Sequence, residues 1–154
     1  MSNQTQKIEV PEGYEIDSIN KLSGEYTLIK QRTKDILEVI KTDDDVFADN
    51  GYTLQSFDEW CKGLRPHERA WRFIELLCKS LNGNWVPDFD NDNQYKYHPW
   101  FTGGSSGFRF DGYGLWLSGS HVGSRLCFKE SRLAVHAGEK FTNWFKIAIV
   151  HNYE

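Results

Sequence analysis

The 154-residue chain carries 22 acidic against 18 basic side chains, a formal net charge of -4, and 39% apolar residues, among them ten Phe, seven Tyr and six Trp. That length suits one domain able to bury roughly two thirds of the surface its unfolded chain exposes, so no metal or disulfide staple is needed, and the negative balance removes any general attraction to nucleic acid. Residues Met1 to Lys7 are polar and no apolar run approaches the roughly 20 residues of a membrane-spanning helix, so a soluble chain without an export signal is expected.

The alternation Lys7-Ile8-Glu9-Val10, the turn residues Pro11-Glu12-Gly13 and the stretch Tyr14-Glu15-Ile16 predict an extended N-terminal arm. Glu25 to Lys30 is a second strand candidate, and residues 1–35 are expected to form this arm. An acidic connector over 36–55, containing Asp43-Asp44-Asp45, is expected to join it to an α+β body over 56–154, the whole making one domain.

Ser56-Phe57-Asp58-Glu59 has the form of a capping box, predicting a short helix that starts there and runs through Trp60 to about Leu64. Pro66 suits the first turn of a longer helix, in which Ala70, Ile74, Leu77 and Leu81 recur at helical spacing until Gly83 stops it. Its other side carries Arg65, Arg69, Arg72 and Lys79, a basic stripe that reads as a solvated face before it reads as an anion-binding one.

From Asn84 to Lys129 the pattern changes to aromatic-rich pieces between Gly, Asn, Asp and Ser: 84–86, 95–97, 108–110, 115–117 and 126–128. Short connections predict an antiparallel meander. Ser131 is expected to cap a final helix with the inward stripe Leu133, Ala137, Phe141, Trp144, Phe145 and Ala148. The fold class that results is two-layer α+β: an antiparallel meander sheet packed against two main helices, with the N-terminal strand arm beside it.

The motifs for chemistry are absent. Asp88, Asp90 and Asp92 open like a calcium loop, but Asn93 replaces the sharp-turn Gly and Pro99 replaces the bidentate Glu. The five histidines lack the spacing and cysteine companions of a zinc site. Gly103 to Gly107 is followed by no G-K-[ST] and no helix, Gly119 to Ser124 lacks a nucleophile elbow, and no acidic pair is marked for glycoside chemistry. Cys61, Cys78 and Cys127 are odd in number and unpaired in spacing, which reads as reduced thiols and a cytoplasmic setting.

Three blocks carry a resemblance. Val10-Pro11-Glu12-Gly13-Tyr14-Glu15-Ile16-Asp17, then Trp85-Val86-Pro87-Asp88-Phe89 with Lys96-Tyr97, and the ending Ser124 to Lys129 with Phe141 resemble a group of small proteins of Bacteroidota and their bacteriophages. In that group a V-P-x-G-Y-E-I-D arm precedes a helix, a W-x-P-D-W/F segment and a short strand leading into an aromatic-rich terminal helix. The resemblance implies a phage or prophage product, acting in the host cytoplasm or carried in a virion, and no chemistry.

Without a catalytic constellation, the expectation is a non-enzymatic binding or assembly protein that needs no cofactor and presents a surface to a protein partner or to a second copy of itself. A virion or tail accessory and an inhibitor of a host protein both fit. The arm residues Ile8, Val10, Tyr14 and Ile16 are candidate partner contacts, since an exposed strand can extend another sheet. The alternative is an aromatic-lined module in which Trp85, Tyr95, Tyr97, Trp100 and Trp116, assisted by Arg65, Arg69 and Arg72, bind carbohydrate or single-stranded nucleic acid; filling the core is the competing use of those rings. Because no ligand spacing supports a structural metal, the melting temperature is expected to be the same with and without excess EDTA, and a substantial drop with EDTA would contradict this reading.

Overall fold

The computed structural model describes residues 9–11, 14–20, 24–30, 34–105, 107–119 and 123–150. The chain divides into two compact units, 1–34 and 35–154. The first is an antiparallel hairpin of β1 (Tyr14–Ile19) and β2 (Tyr26–Lys30), with Ile16 opposite Leu28 and a bulge between Ile16 and Ser18. Asn20 donates its backbone N–H to Glu25 O at 2.7 Å to close the turn, and the Ser18 and Thr27 hydroxyls hydrogen-bond across the strands at 2.7 Å. Of the expected extended arm, Lys7 and Ile8 lie outside the described residues, Glu9 and Val10 are outside any strand, and β1 finds its partner downstream in β2.

The second unit begins with α1 (Ile36–Val39), α2 (Asp43–Asp49) and α3 (Leu54–Trp60), so 36–55 belongs to the body and is no connector. Its acidic run is a helix start. Asp45 accepts backbone hydrogen bonds from Thr42 at 2.8 Å and Lys41 at 3.0 Å, and the three aspartates sit where the helix dipole favours negative charge. Ile40, Val46 and Phe47 are buried in the core. Thr53 rather than Ser56 caps α3: Ser56 N donates to Thr53 Oγ1 at 3.1 Å while Thr53 N donates to Ser56 Oγ at 2.9 Å, which starts the helix earlier than the sequence pattern indicates.

Helix α4 (Pro66–Asn82) runs as expected from Pro66 to a stop at Gly83. The expected final helix is two, α5 (Ser131–Lys140) and α6 (Thr142–Ile149), meeting at Phe141, and Glu130 rather than Ser131 occupies the N-cap. At that corner the Thr142 hydroxyl donates to the carbonyl of Gly138, a competitor for the helix ladder. The inward stripe survives the break, and all six of its residues are buried.

Among the described residues between the helices, the meander reduces to one hairpin, β3 (Lys96–Thr102) and β4 (Arg109–Trp116), with a single further bridge from Tyr97 to Phe128. The pieces at 84–86 and 115–117 do not add strands: the first is irregular, and the second is the last two residues of β4 and the residue after it. The class is therefore α+β with two small antiparallel sheets. Among the described residues no helix is long and apolar enough to cross a membrane.

The hairpin is fixed to the helices at its loop end. Phe101 stacks on Phe108 at 4.9 Å and meets Phe145 of α6 at 4.9 Å, while the Phe110 ring lies against Gly138 of α5, where any Cβ would overlap it. Gly138→Ala is expected to lose on the order of 1 kcal/mol in a denaturant titration, because overpacking outweighs the gain in helix propensity. In a Phe110→Ala background the same change is expected to stabilise, and equal effects in both backgrounds would contradict the close approach.

Candidate functional site

With the loop end anchored and Lys96 and His98 of β3 buried, β4 and Trp100 are left to present side chains. The register places Tyr97 opposite Leu115 and Pro99 opposite Tyr113 on one face, and Lys96 opposite Trp116, His98 opposite Gly114 and Trp100 opposite Gly112 on the other. On the first face Tyr95, Tyr97 and Tyr113 form a chain of rings, with centroids 6.2 and 5.7 Å apart. On the second, Trp100 is 56% exposed and stands over glycines: Gly112 directly across and Gly114 diagonally, where a Cβ would lie 4.0 Å from its ring. Gly112 has φ +122°, a conformation side chains rarely adopt, so the bare position is dictated by the backbone.

The exposed apolar side chains of this region are Tyr95, Trp100, Tyr113, Leu115, Trp116 and Leu117. Clustering of this kind marks an interaction surface more strongly than isolated exposed rings do. Of the five ring residues the sequence singles out, the hairpin and its entry bring together Tyr95, Tyr97, Trp100 and Trp116. Trp85 lies elsewhere, half-buried in an open groove of about 370 Å³ with Glu75, Lys79, Asn82 and Arg125. Leu115 and Leu117 are missed by a search for rings. The signal for Leu115 is the alternation of β4, legible once its register is known; Leu117 follows the strand's end.

The arginines are engaged with their own chain. Arg69 donates to Asp58 from Nε and Nη2, at 3.0 and 2.6 Å, and its guanidinium lies 5.0 Å from the Phe57 ring and 4.8 Å from the Trp144 ring. Arg72 lies 4.2 Å from the Trp60 ring, and Arg65 pairs with Glu68 at 3.2 Å. Cation–π and ion-pair contacts of this kind use the stripe to cover aromatic surface, in keeping with the solvated-face reading. In the N-terminal unit, Val10 is exposed and Ile16 half-buried, Tyr14 lies in β1 opposite Lys30, and Ile8 is outside the described residues.

One buried charge stands near the hairpin. Lys96 is fully buried on β3, its Nζ donating to Gln94 O at 2.9 Å and lying 5.1 Å from the Phe89 ring. The acidic loop that precedes it makes turns: Asp88 accepts from Asp90 N at 3.0 Å and Asn91 from Asn93 N at 2.9 Å. Among the described residues no three His, Cys, Asp or Glu side chains are grouped to hold a metal ion.

No protein-family model matches the chain, and no curated protein or solved structure matches it either.

Cys61, Cys78 and Cys127 are all free and buried. Burial pushes the Cys78 and Cys61 thiols up, and pushes Cys127 up to about 11 against the opposing influence of Lys96. A thiol raised on folding gives the unfolded state fewer protons at alkaline pH, so stability is full below the unfolded value of about 8.5 and falls as pH rises toward 11. Urea titrations are expected to show that decline above about pH 8.5, shallower in Cys127→Ala. At pH 8 a thiol reagent is expected to label the three cysteines only when denaturant is added; rapid labelling of Cys127 in buffer would contradict its burial.

Proposed function

We propose that this is a non-catalytic binding or assembly protein whose working surface is the exposed part of the β3–β4 hairpin, made of β4 from Tyr113 onward together with Trp100. The observation that carries the reading is the concentration of Trp100, Tyr113, Leu115 and Trp116 on the hairpin and Leu117 just after it, all exposed, while the hairpin is held to the helices through Phe101 and Phe110. Rigid presentation of aromatic side chains lowers the entropy lost on docking, and Trp and Tyr are the residues that dominate protein interfaces. The engagement of Arg65, Arg69 and Arg72 with internal partners supports a protein partner over a polyanion. Resemblance of the arm and the Trp85 segment to small proteins of Bacteroidota phages favours a phage or mobile-element role, as a virion or tail accessory or as an inhibitor of a host protein.

A second reading rests on one observation: Trp100 and Trp116 lie on the same face, separated by four residues along the strands, roughly 13 Å. Two rings so placed can stack on a sugar chain or on bases. A saturable change in tryptophan fluorescence on adding an oligosaccharide or oligonucleotide, lost in Trp100→Ala, would support it.

The protein-binding reading is tested by the double variant Trp100→Ala, Tyr113→Ala. Both side chains are about half exposed, so the melting temperature is expected to stay within a few degrees of the parent. A protein captured from infected-host lysate by the parent chain is expected to bind the variant at least roughly tenfold more weakly. Undiminished capture would refute this surface as the site.

A further inference from the structure

The hydrogen-bonding phase of the hairpin is set by one bridge. Tyr97 donates its N–H to Phe128 O at 2.9 Å and accepts from Phe128 N at 2.8 Å, so both its backbone groups point away from β4. Alternation then turns the groups of His98 and Trp100 toward β4 and those of Pro99 outward, where its missing N–H costs no ladder bond. On β4 the same phase directs Gly112 and Gly114 toward β3, leaving the N–H and C=O of Tyr113 and Leu115 facing out from the edge. Neither residue has a hydrogen bond on that side among the described residues.

The two edges of the hairpin therefore differ. The β3 edge is closed by Phe128 and then by Pro99, which has no donor to offer. The β4 edge is open over two consecutive outward positions, with four backbone groups available for a further strand. None of the usual protections is present at Tyr113 and Leu115: no proline, no charge, and no covering element among the described residues.

We infer that β4 pairs antiparallel with β4 of a second copy about a two-fold axis at Gly114, making a continuous four-stranded sheet across the dimer. This rests on the reading of the hairpin as an interaction surface and names its occupant. A two-fold axis normal to a sheet pairs residues that share a face, and pairing at the open edge must join residues whose backbone groups point out. Centring on Gly114 meets both demands. Tyr113 pairs with Leu115 of the second copy, and Leu115 with Tyr113, through four main-chain hydrogen bonds.

The side chains fit the same register. Tyr113 against Leu115 is an aromatic–aliphatic cross-strand pair. Gly114 meets its own counterpart at the axis, where strands approach most closely and no side chain intervenes. Gly112 faces Trp116 of the second copy, so that Trp100 from one side and this Trp116 from the other flank the bare backbone at Gly112. Asp111 meets Leu117, and no like charges are opposed. A register centred on Asp111 would instead set two carboxylates against each other.

The intact chain is the material for the test. Light scattering after gel filtration is expected to give twice the 18.0 kDa protomer mass, with dissociation on dilution. Leu115→Pro removes an outward N–H without touching a β3 ladder bond, and is expected to raise the dimer dissociation constant at least roughly tenfold while far-ultraviolet circular dichroism stays unchanged. Gly114→Cys, whose Cβ meets only ordinary contact with Trp100, is expected to form a disulfide-linked dimer on mild oxidation, and this readout does not depend on how Leu115→Pro folds. A parent chain that stays monomeric at high concentration, a dimer indifferent to Leu115→Pro in its folded form, or Gly114→Cys that fails to cross-link would each overturn the inference. A monomer that still loses a host protein through Trp100→Ala, Tyr113→Ala would do so while leaving the hairpin as a protein-binding site.

Discussion

Packing around Phe73 holds the body together. Its ring is fully buried on α4, stacked on Trp144 of α6 at 4.1 Å and 10°, with Phe47 of α2 edge-on at 5.5 Å, Phe57 of α3 at 6.4 Å and Phe141 at 5.8 Å. One side chain thus meets rings from both ends of the body. Short helices such as α2 and α3, of seven residues each, are marginal alone and take their stability from packing of this kind. The same cluster explains Arg69 and Arg72, whose guanidinium groups lie over Phe57, Trp144 and Trp60 at the rim of the aromatic core.

Two asparagines add direction to what apolar contact cannot orient. Asn50 Nδ2, at the end of α2, donates to Ser80 Oγ at 2.7 Å and Leu76 O at 3.3 Å, fixing that helix along α4. Asn82, at the far end of α4, donates to Cys127 O at 2.7 Å and accepts from Lys129 N at 3.0 Å. The second clamp places Phe128, and Phe128 in turn sets the phase of β3 through Tyr97. A buried amide on a helix thereby determines which backbone groups of β4 face outward, because phase propagates through the ladder by alternation alone.

Division of labour within the hairpin follows from its glycines and phenylalanines. Half-buried Phe101 and Phe108 pack against the core, half-buried Phe110 lies on α5, and Gly138 exists to let Phe110 approach. Trp100, Tyr113, Leu115 and Trp116 remain outside, Trp100 over backbone left bare at Gly112 and Gly114 and Tyr113 and Leu115 on the opposite face. Aromatic residues so close in sequence serve both core and surface because a strand has two faces and the bulge at Trp100 and Phe101 shifts their register.

Much of the helical framework was legible in the residues themselves. Pro66 and Gly83 bound α4 because a fixed φ and a missing side chain act locally, and the stripe from Leu133 to Ala148 marks buried positions because helical periodicity does not depend on the partner. The break at Phe141 left that periodicity intact, so the sequence located the core while misjudging the helix count. Local chemistry misled at Ser56, where Thr53 three residues earlier offered the reciprocal hydroxyl, and at 43–45, where three aspartates read as a connector are the first turn of a helix. The aromatic pieces named four of the exposed or half-exposed rings near the hairpin, but nothing local told core rings from surface rings. That distinction, the collapse of a five-piece meander to two strands, and the open edge at Tyr113 and Leu115 were decided by tertiary structure alone, because strand pairing and face depend on non-local hydrogen bonds whose phase is set here by Asn82 and Phe128.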